Sequence, residues 1–296
     1  MRSMEVIDMD MENRGSGISP FATAQAIFLS PHYDDVVLSC GGTVALLADQ
    51  GCESVVVTVF AGEVPDEIIT DFAKWKHSRW GVSGVEENVL RRQEEDRDAV
   101  EALGARAHWL GYPDAIYRGD RYLSDPSLFG TPQAVETGLV NLIADEIRSM
   151  PEWDDHGTVF VSLGIGEHVD HQIMFAVGCV LAARGVRVLA YEDCPYAIHT
   201  PAGVDRRLGE VAGDVAPPMP VAIGTTLERR IAAIAAYRSQ VPVIFRFTTD
   251  VPGTVTDFAW KIGGPLGPAE RFWPVLAERA ETTITSDVGD HARQIA

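Results

Sequence analysis

Cysteine is scarce in this 296-residue chain: Cys40, Cys52, Cys179 and Cys194 are its four, and no two stand in CxxC spacing. A zinc knuckle or thioredoxin-like motif is therefore not read, and reduced, mostly buried thiols are expected. Positive charge is also short. The 24 Lys and Arg face 43 Asp and Glu, a formal net charge of −19. Such a surface repels nucleic acid and anionic membrane at long range. It favours neutral or cationic substrates unless a basic pocket exists locally. Long apolar runs are missing, and the longest, around residues 173–183, is too short to span a bilayer. The opening string MRSMEVIDMDMENRGSG has no apolar core, so no secretory signal is read. These absences lead to the expectation of a cytoplasmic protein with no nucleic-acid partner and no membrane span, its homo-oligomerisation left open.

What is present is ordinary for a globular protein, 46% hydrophobic and 23% charged residues. Residues 1–21 are polar and read as a loose leader. Residues 22–296 read as one α/β domain, less regular from about 200 onward. Short apolar runs bounded by breakers give strands at AQAIFLS, ESVVVTVF, ARAHWLG, GTVFVSLG and VRVLAYE, and a last short one at VAIG. Helices are expected from Gly41-Gly42 to Gly51, over 86–103, from Thr131-Pro132 to about Met150, and from His171 to Gly185. Thr225 and Glu228 have capping-box spacing before a helix through Tyr237. The stretch 61–85 reads as an irregular lid, and the chain after Ser239 as an irregular tail. Strand and helix alternate without tight hairpins. This predicts a Rossmann-like, mostly parallel, doubly wound sheet with a C-terminal extension.

In such sheets ligands bind at the carboxyl ends of the strands. His32, Asp34 and Asp35 follow the first strand, in SPHYDD; His168, Asp170 and His171 follow the fourth, in GEHVDHQ. Each string alone is as well explained by helix caps and turns. Two such clusters on one sheet edge are not, because burying so many charges requires a compensating cation. Two imidazoles and a carboxylate suit a zinc ion with an open position. One of Asp34 and Asp35 can bind metal while the other serves as base. One of His168 and His171 can bind metal while the other holds an oxyanion or protonates a leaving amine, and Asp170 could orient it.

The strings Pro31-His32-Tyr33-Asp34-Asp35 and His168-Val169-Asp170-His171 resemble the PHxDD and HxDH motifs of the LmbE-like, or PIG-L, family of N-deacetylases. The register of Arg92, Glu95, Ala99 and Leu103-Gly104, and the pair Pro113-Asp114, are further points of resemblance, and together they cover roughly residues 24–200. The resemblance implies one zinc ion per chain held by His32, Asp35 and His171. It implies Asp34 as general base and His168 as oxyanion donor or acid, with Asp170 behind it. It also implies sugar contacts from Arg92 and Asp114. The implied substrate is an N-acetyl amino-sugar conjugate. Two departures stand out. Tyr33 replaces a frequent proline, and Gly166 occupies the place where some members carry a mobile Tyr two residues before HxDH.

Other readings are weighed beside this one. His32, Asp34 and His171 also satisfy the two-His-one-carboxylate pattern of non-haem iron oxygenases. A non-catalytic sugar-binding protein is the third reading, although binding alone does not require a spare carboxylate. Trp75, Trp80 and Tyr117 could stack on a sugar or pack in a core. Glu192 and Asp193 could line a pocket or form a turn. Segments 61–85 and 112–131 are the candidates for choosing the aglycone.

Overall fold

A computed structural model of the chain describes residue 21 and residues 23–277. Most of the expected leader lies outside them. Phe21, at its inner end, belongs instead to the core, with its ring edge-on to Phe160 and Phe272.

One sheet carries the described residues, in the order β3-β2-β1-β4-β5-β7-β6. Its strands are β1 (Gln25–Ser30), β2 (Glu53–Thr58), β3 (Arg106–Trp109), β4 (Thr158–Ser162), β5 (Arg187–Tyr191), β6 (Met219–Ala222) and β7 (Ala269–Pro274). The first five run parallel, with Ser30 beside Thr58 and Phe28 beside Phe160. From β1 the chain winds out to β3, then returns to β4 on the other side of β1. The carboxyl ends of β1 and β4 therefore flank the point where winding reverses.

Both faces of the sheet are covered, so its central strands read as continuous apolar runs. Side chains alternate between two cores. Phe28, Val56 and Phe160 pack towards the helices Asp35–Asp49, Val85–Ala102 and Leu227–Ile234. Ile27, Leu29, Val57 and Val161 pack towards Thr137–Arg148 and Val169–Ala183. Cys40, Cys52 and Cys194 are buried, Cys179 is half-buried, and all four are free thiols.

Four local expectations are corrected. The first helix begins at Asp35, not at Gly41-Gly42; the glycines mark a kink, where Cys40 leaves helical geometry at φ −142°. The backbone N–H groups of Gly42 and Thr43 there donate to the carboxylate of Glu270 on β7, at 2.9 and 2.7 Å. A Cβ on Gly42 would lie 2.8 Å from Glu270 Oε1, so only glycine admits this approach. The proposed capping box at Thr225 is not formed. Thr226 stands at the N-cap, its hydroxyl donates to Gly42 O at 2.8 Å, and the helix ends at Ile234.

The lid is helical over Asp71–Trp80, opened by Thr70, whose hydroxyl accepts from Ala73 N, and closed by Gly81 at φ 68°. Its sequence, DFAKWKHSRW, has no clean apolar stripe, which hides the period. The tail is not irregular. Asp250 caps a helix over Val251–Gly263, and β7 inserts antiparallel between β5 and β6, with Ala190 beside Trp273. Two charged residues in AERFWP mask that strand. Among the described residues no helix is long and apolar enough to cross a membrane.

Candidate active site

The two acidic, histidine-bearing strings meet. SPHYDD turns from β1 into the helix at Asp35, and GEHVDHQ turns from β4 into the helix at Val169. The second turn is tight: Gly164, Gly166 and Glu167 all take left-handed φ, at 85°, 90° and 63°. For Glu167 this costs of order 1–2 kcal/mol, offset by its place in the turn, where its carbonyl accepts from Gln172 Nε2 at 2.6 Å. His168 then caps the helix, its Nδ1 accepting from the Asp170 backbone N–H at 3.2 Å.

Asp35 Oδ2 lies 3.3 Å from His32 Nδ1 and 3.3 Å from His171 Nε2. Four-coordinate zinc with bonds of about 2.0–2.1 Å spaces its donor atoms about 3.3 Å apart, so both separations suit a shared metal. One nitrogen from each of His32, His168 and His171 also falls within 4.8 Å of the others, so His168 borders the same point. Each candidate ligand histidine has its other nitrogen on a carboxylate. His32 Nε2 donates to Asp170 at 3.0 Å, and His171 Nδ1 donates to Asp193 at 2.7 Å. Such partners fix the tautomer and aim the free lone pair.

This relocates Asp170. Its carboxylate stands behind His32, not behind His168. It also accepts from Ala115 N at 3.0 Å and makes a 2.6 Å ion contact, without hydrogen-bond alignment, to Arg118. Arg118 is in turn bound to Glu136 at 2.8 Å. Asp193 is equally embedded, accepting from Ser162 Oγ and from the backbone of Gly164 and Ile165, both at 2.8 Å. Asp193, read from the sequence as a pocket or turn residue, stands behind His171. Arg118 and Glu136 escape a reading based on motifs, since each acts through a neighbour and neither stands in a metal-ligand spacing. Glu192 points the other way, to Arg271 on β7.

Asp34 is the spare carboxylate. It is buried, Arg92 Nη2 approaches its Oδ1 at 3.4 Å, and its Oδ2 has no hydrogen-bond partner. Arg92 is itself buried, as its helical stripe predicts, and lies over the ring of Tyr33, 5.1 Å from the centroid. The residue in place of the frequent proline thus holds Arg92 against Asp34.

The field favours a cation. Asp34, Asp35, Asp114, Asp170 and Asp193 face two guanidiniums, Arg92 and Arg118. Burial lowers the pKa of His171, but Asp35 and Asp193 outweigh it and raise it to about 10. His32 is likewise raised well above its ordinary value, Asp114, Asp170 and Asp35 overcoming its burial. Burial raises Asp34, against the pull of Arg92 and with the push of Asp35. Asp35 is held well below the usual carboxylate range, His171 and His32 overcoming its burial. His168 is lowered well below its ordinary value by burial and by the charge of His32. It is neutral, with Nδ1 accepting, so its proton sits on Nε2.

These groups floor a cavity of about 510 Å³. Arg92 and Asp114 line it, and Asp114 Oδ2 lies 3.6 Å from His32 Nε2. Trp80 lines it as well, whereas Tyr117 is buried among apolar neighbours with its hydroxyl on His77 at 2.6 Å. Two further wall segments complete the cavity, the first missed by the sequence reading and the second at the end of YEDCPY, a string that reading allowed as pocket lining. One is Gln240 to Phe247, from the supposed irregular tail. The other is Tyr196, which fills the space left by Gly166: a Cβ there would lie 2.5 Å from the Tyr196 ring.

Known proteins resemble this chain in sequence and in fold. A profile of the PIG-L family, described as GlcNAc-PI de-N-acetylase, matches residues 27–183. A 2'-N-acetylparomamine deacetylase of Niallia circulans is 31% identical over 83% of this chain and 89% of its own. One of Streptomyces fradiae is 31% identical over 73% of each chain. The zinc-inhibited form of a teicoplanin deacetylase superposes with a TM-score of 0.72 at 25% identity, over 85% of this chain and 98% of that one. The family expected from the motifs is therefore borne out: the chain belongs to the PIG-L family.

Proposed function

We propose that the chain is a zinc-dependent hydrolase that removes the acetyl group from the nitrogen of an amino-sugar conjugate. The observation that carries this reading is the position of Asp35 Oδ2, 3.3 Å from a nitrogen of each of two carboxylate-backed histidines, beside the unpartnered Oδ2 of Asp34. His32, Asp35 and His171 would hold the metal. A zinc ion held by them acidifies a water and polarises an amide carbonyl.

The remaining steps belong to the side chains. Asp34, raised by burial, takes a proton from the attacking water as the new C–O bond forms. The Nε2–H of His168 donates to the developing oxyanion. Tyr196 gives a second donor, its phenol hydroxyl, because it lines the cavity and that hydroxyl makes no hydrogen bond among the described residues. Asp34 then returns the proton to the nitrogen as the C–N bond breaks, leaving acetate and a free amine. Arg92 and Asp114 orient the sugar. The relatives' names as deacetylases favour hydrolysis over iron-dependent oxygenation or binding without turnover.

The deciding experiment offers a panel of N-acetylglucosamine conjugates to the purified protein and scores free amine. Amine release that stops with a chelator and returns with zinc is expected. No release from any conjugate by zinc-loaded protein would overturn the reading.

A further inference from the structure

We propose that the outer end of the active-site cavity is a subsite for an anionic oxygen group, a phosphate or carboxylate, carried by the aglycone. The proposal rests on the deacetylase reading of the same cavity. Overall the chain has 43 acidic against 24 basic residues. In a chamber of about 490 Å³ that adjoins the catalytic cavity the balance reverses: Lys76, Arg79 and Arg246 face Asp125 alone. Lys76, Trp80, Phe129, Val243 and Arg246 line both spaces, so the two adjoin.

Lys76 Nζ lies 2.5 Å from Asp125 Oδ1, which uses the one acid present. Arg79 and Arg246 are exposed and form no ion pair among the described residues. Surface arginines elsewhere fall into both groups: Arg184, Arg206 and Arg229 hold carboxylates, whereas Arg97, Arg148, Arg187 and Arg238 form no ion pair among the described residues. Arg79 and Arg246 differ in lining one chamber together with Lys76 and a single acid. Two guanidiniums without acids, in so acidic a chain, make a positive outlet above a floor of carboxylates. Aromatic surface accompanies them. The Trp75 ring is flanked by Lys76 and Arg79, at 5.4 and 5.3 Å from its centroid, and stays 46% exposed. Phe247 at the cavity mouth is 42% exposed. Exposed rings beside unpaired cations suit a sugar or ring face bearing an anion. The cavity thus has opposite polarity at its two ends: a neutral acetamide at the acidic floor and an anion at the basic outlet.

The test compares four N-acetylglucosaminides in zinc-loaded enzyme at low salt: the methyl, carboxymethyl and aminoethyl glycosides and the 1-phosphate. The anionic pair is expected to exceed the methyl glycoside by about tenfold in kcat/KM, and the cationic one to fall below it. Preference for one anion over the other names the group. The advantage shrinks at about 0.5 M salt and in the Arg79→Glu/Arg246→Glu double variant, whose two sites are exposed. Equal kcat/KM across the four, or a preference that survives charge reversal, overturns the subsite. A binding measurement by calorimetry needs no turnover. Glucosamine 1-phosphate should bind wild type about tenfold more tightly than methyl glucosaminide, and the double variant should lose that margin. Absence of amine release from every arm would reject the deacetylase reading, while the calorimetric comparison still decides the subsite.

Discussion

His171 Nδ1 lies 2.7 Å from Asp193 Oδ1, and three further donors hold that carboxylate in place. With Nδ1 committed to Asp193, Nε2 is the nitrogen that faces Asp35 and that would give up its proton to offer a lone pair to a metal. Asp193→Asn keeps the shape but takes away the charge that fixes this tautomer. Zinc affinity is expected to fall by about 10–100-fold, measured by competition with a chromogenic chelator. Unchanged affinity would show that Asp193 serves folding alone.

Asp34 has the opposite signature, a buried carboxylate oxygen with no partner. Asp34→Asn should bind one zinc per chain while losing turnover by about 10²–10⁴-fold. Elemental analysis and an amine-release assay read the two properties separately. Full activity in the variant would remove Asp34 as the base.

Metal and protons compete for the same nitrogens. With His171 raised to about 10 and His32 raised well above its ordinary value, both hold protons at pH 7 without metal. Binding should release about two protons there, and affinity should rise with pH. Asp35 releases none, since it is already ionised. The stability consequence has a definite sign. The raised histidines stabilise the metal-free fold fully below their unfolded pKa, and the contribution is lost as pH rises through the folded values, about 10 for His171. Metal-loaded protein should show the reverse trend across neutral pH. Calorimetry in two buffers of different ionisation enthalpy counts the protons, and a count of zero would contradict the assignment.

The legible parts of the fold are those with local signals. β1, β2, β4 and β5 are uninterrupted apolar runs, and the clusters at the ends of β1 and β4 stand where a parallel sheet binds ligands. The kink at Cys40 was not legible, because the cap for Gly42 and Thr43 arrives from Glu270, 228 residues beyond Gly42. β7 was hidden for the same reason: the pairing that makes it a strand is with β5 and β6. Asp170 stands behind His32 and not His168, because HxDH spacing on a helix does not say which side chain turns back towards β1.

The Arg230–Glu270 pair joins the helix Leu227–Ile234 to β7 with a 3.2 Å contact, and both residues are buried. Arg230 also donates to Leu38 O, within the helix that begins at Asp35. Arg230→Met strands the Glu270 carboxylate, whose pKa burial already raises against the pull of Arg230. A loss of about 3–5 kcal/mol is expected by urea unfolding. Adding Glu270→Gln should recover part of it, because the two positions share one interaction. Strict additivity would mean the pair is not coupled.

Gly166 and Tyr196 are coupled by shape. Gly166 sits at φ 90°, and a Cβ there would meet the Tyr196 ring at 2.5 Å. Gly166→Ala therefore costs about 1–2 kcal/mol in backbone strain alone and also drives the phenol from its seat. If the Tyr196 hydroxyl steadies the oxyanion, Tyr196→Phe should lower kcat by about tenfold and leave KM nearly unchanged. Gly166→Ala should lower kcat comparably, although it touches no substrate. The backbone and steric parts separate in a Tyr196→Ala background, where the added methyl group meets no ring. There Gly166→Ala should retain its strain in the unfolding free energy but cause no further loss of kcat. A Tyr196→Phe enzyme with wild-type kcat would leave His168 as the sole side-chain donor. A further drop in kcat on adding Gly166→Ala to Tyr196→Ala would place the effect of Gly166 in the His168 turn, not in the tyrosine.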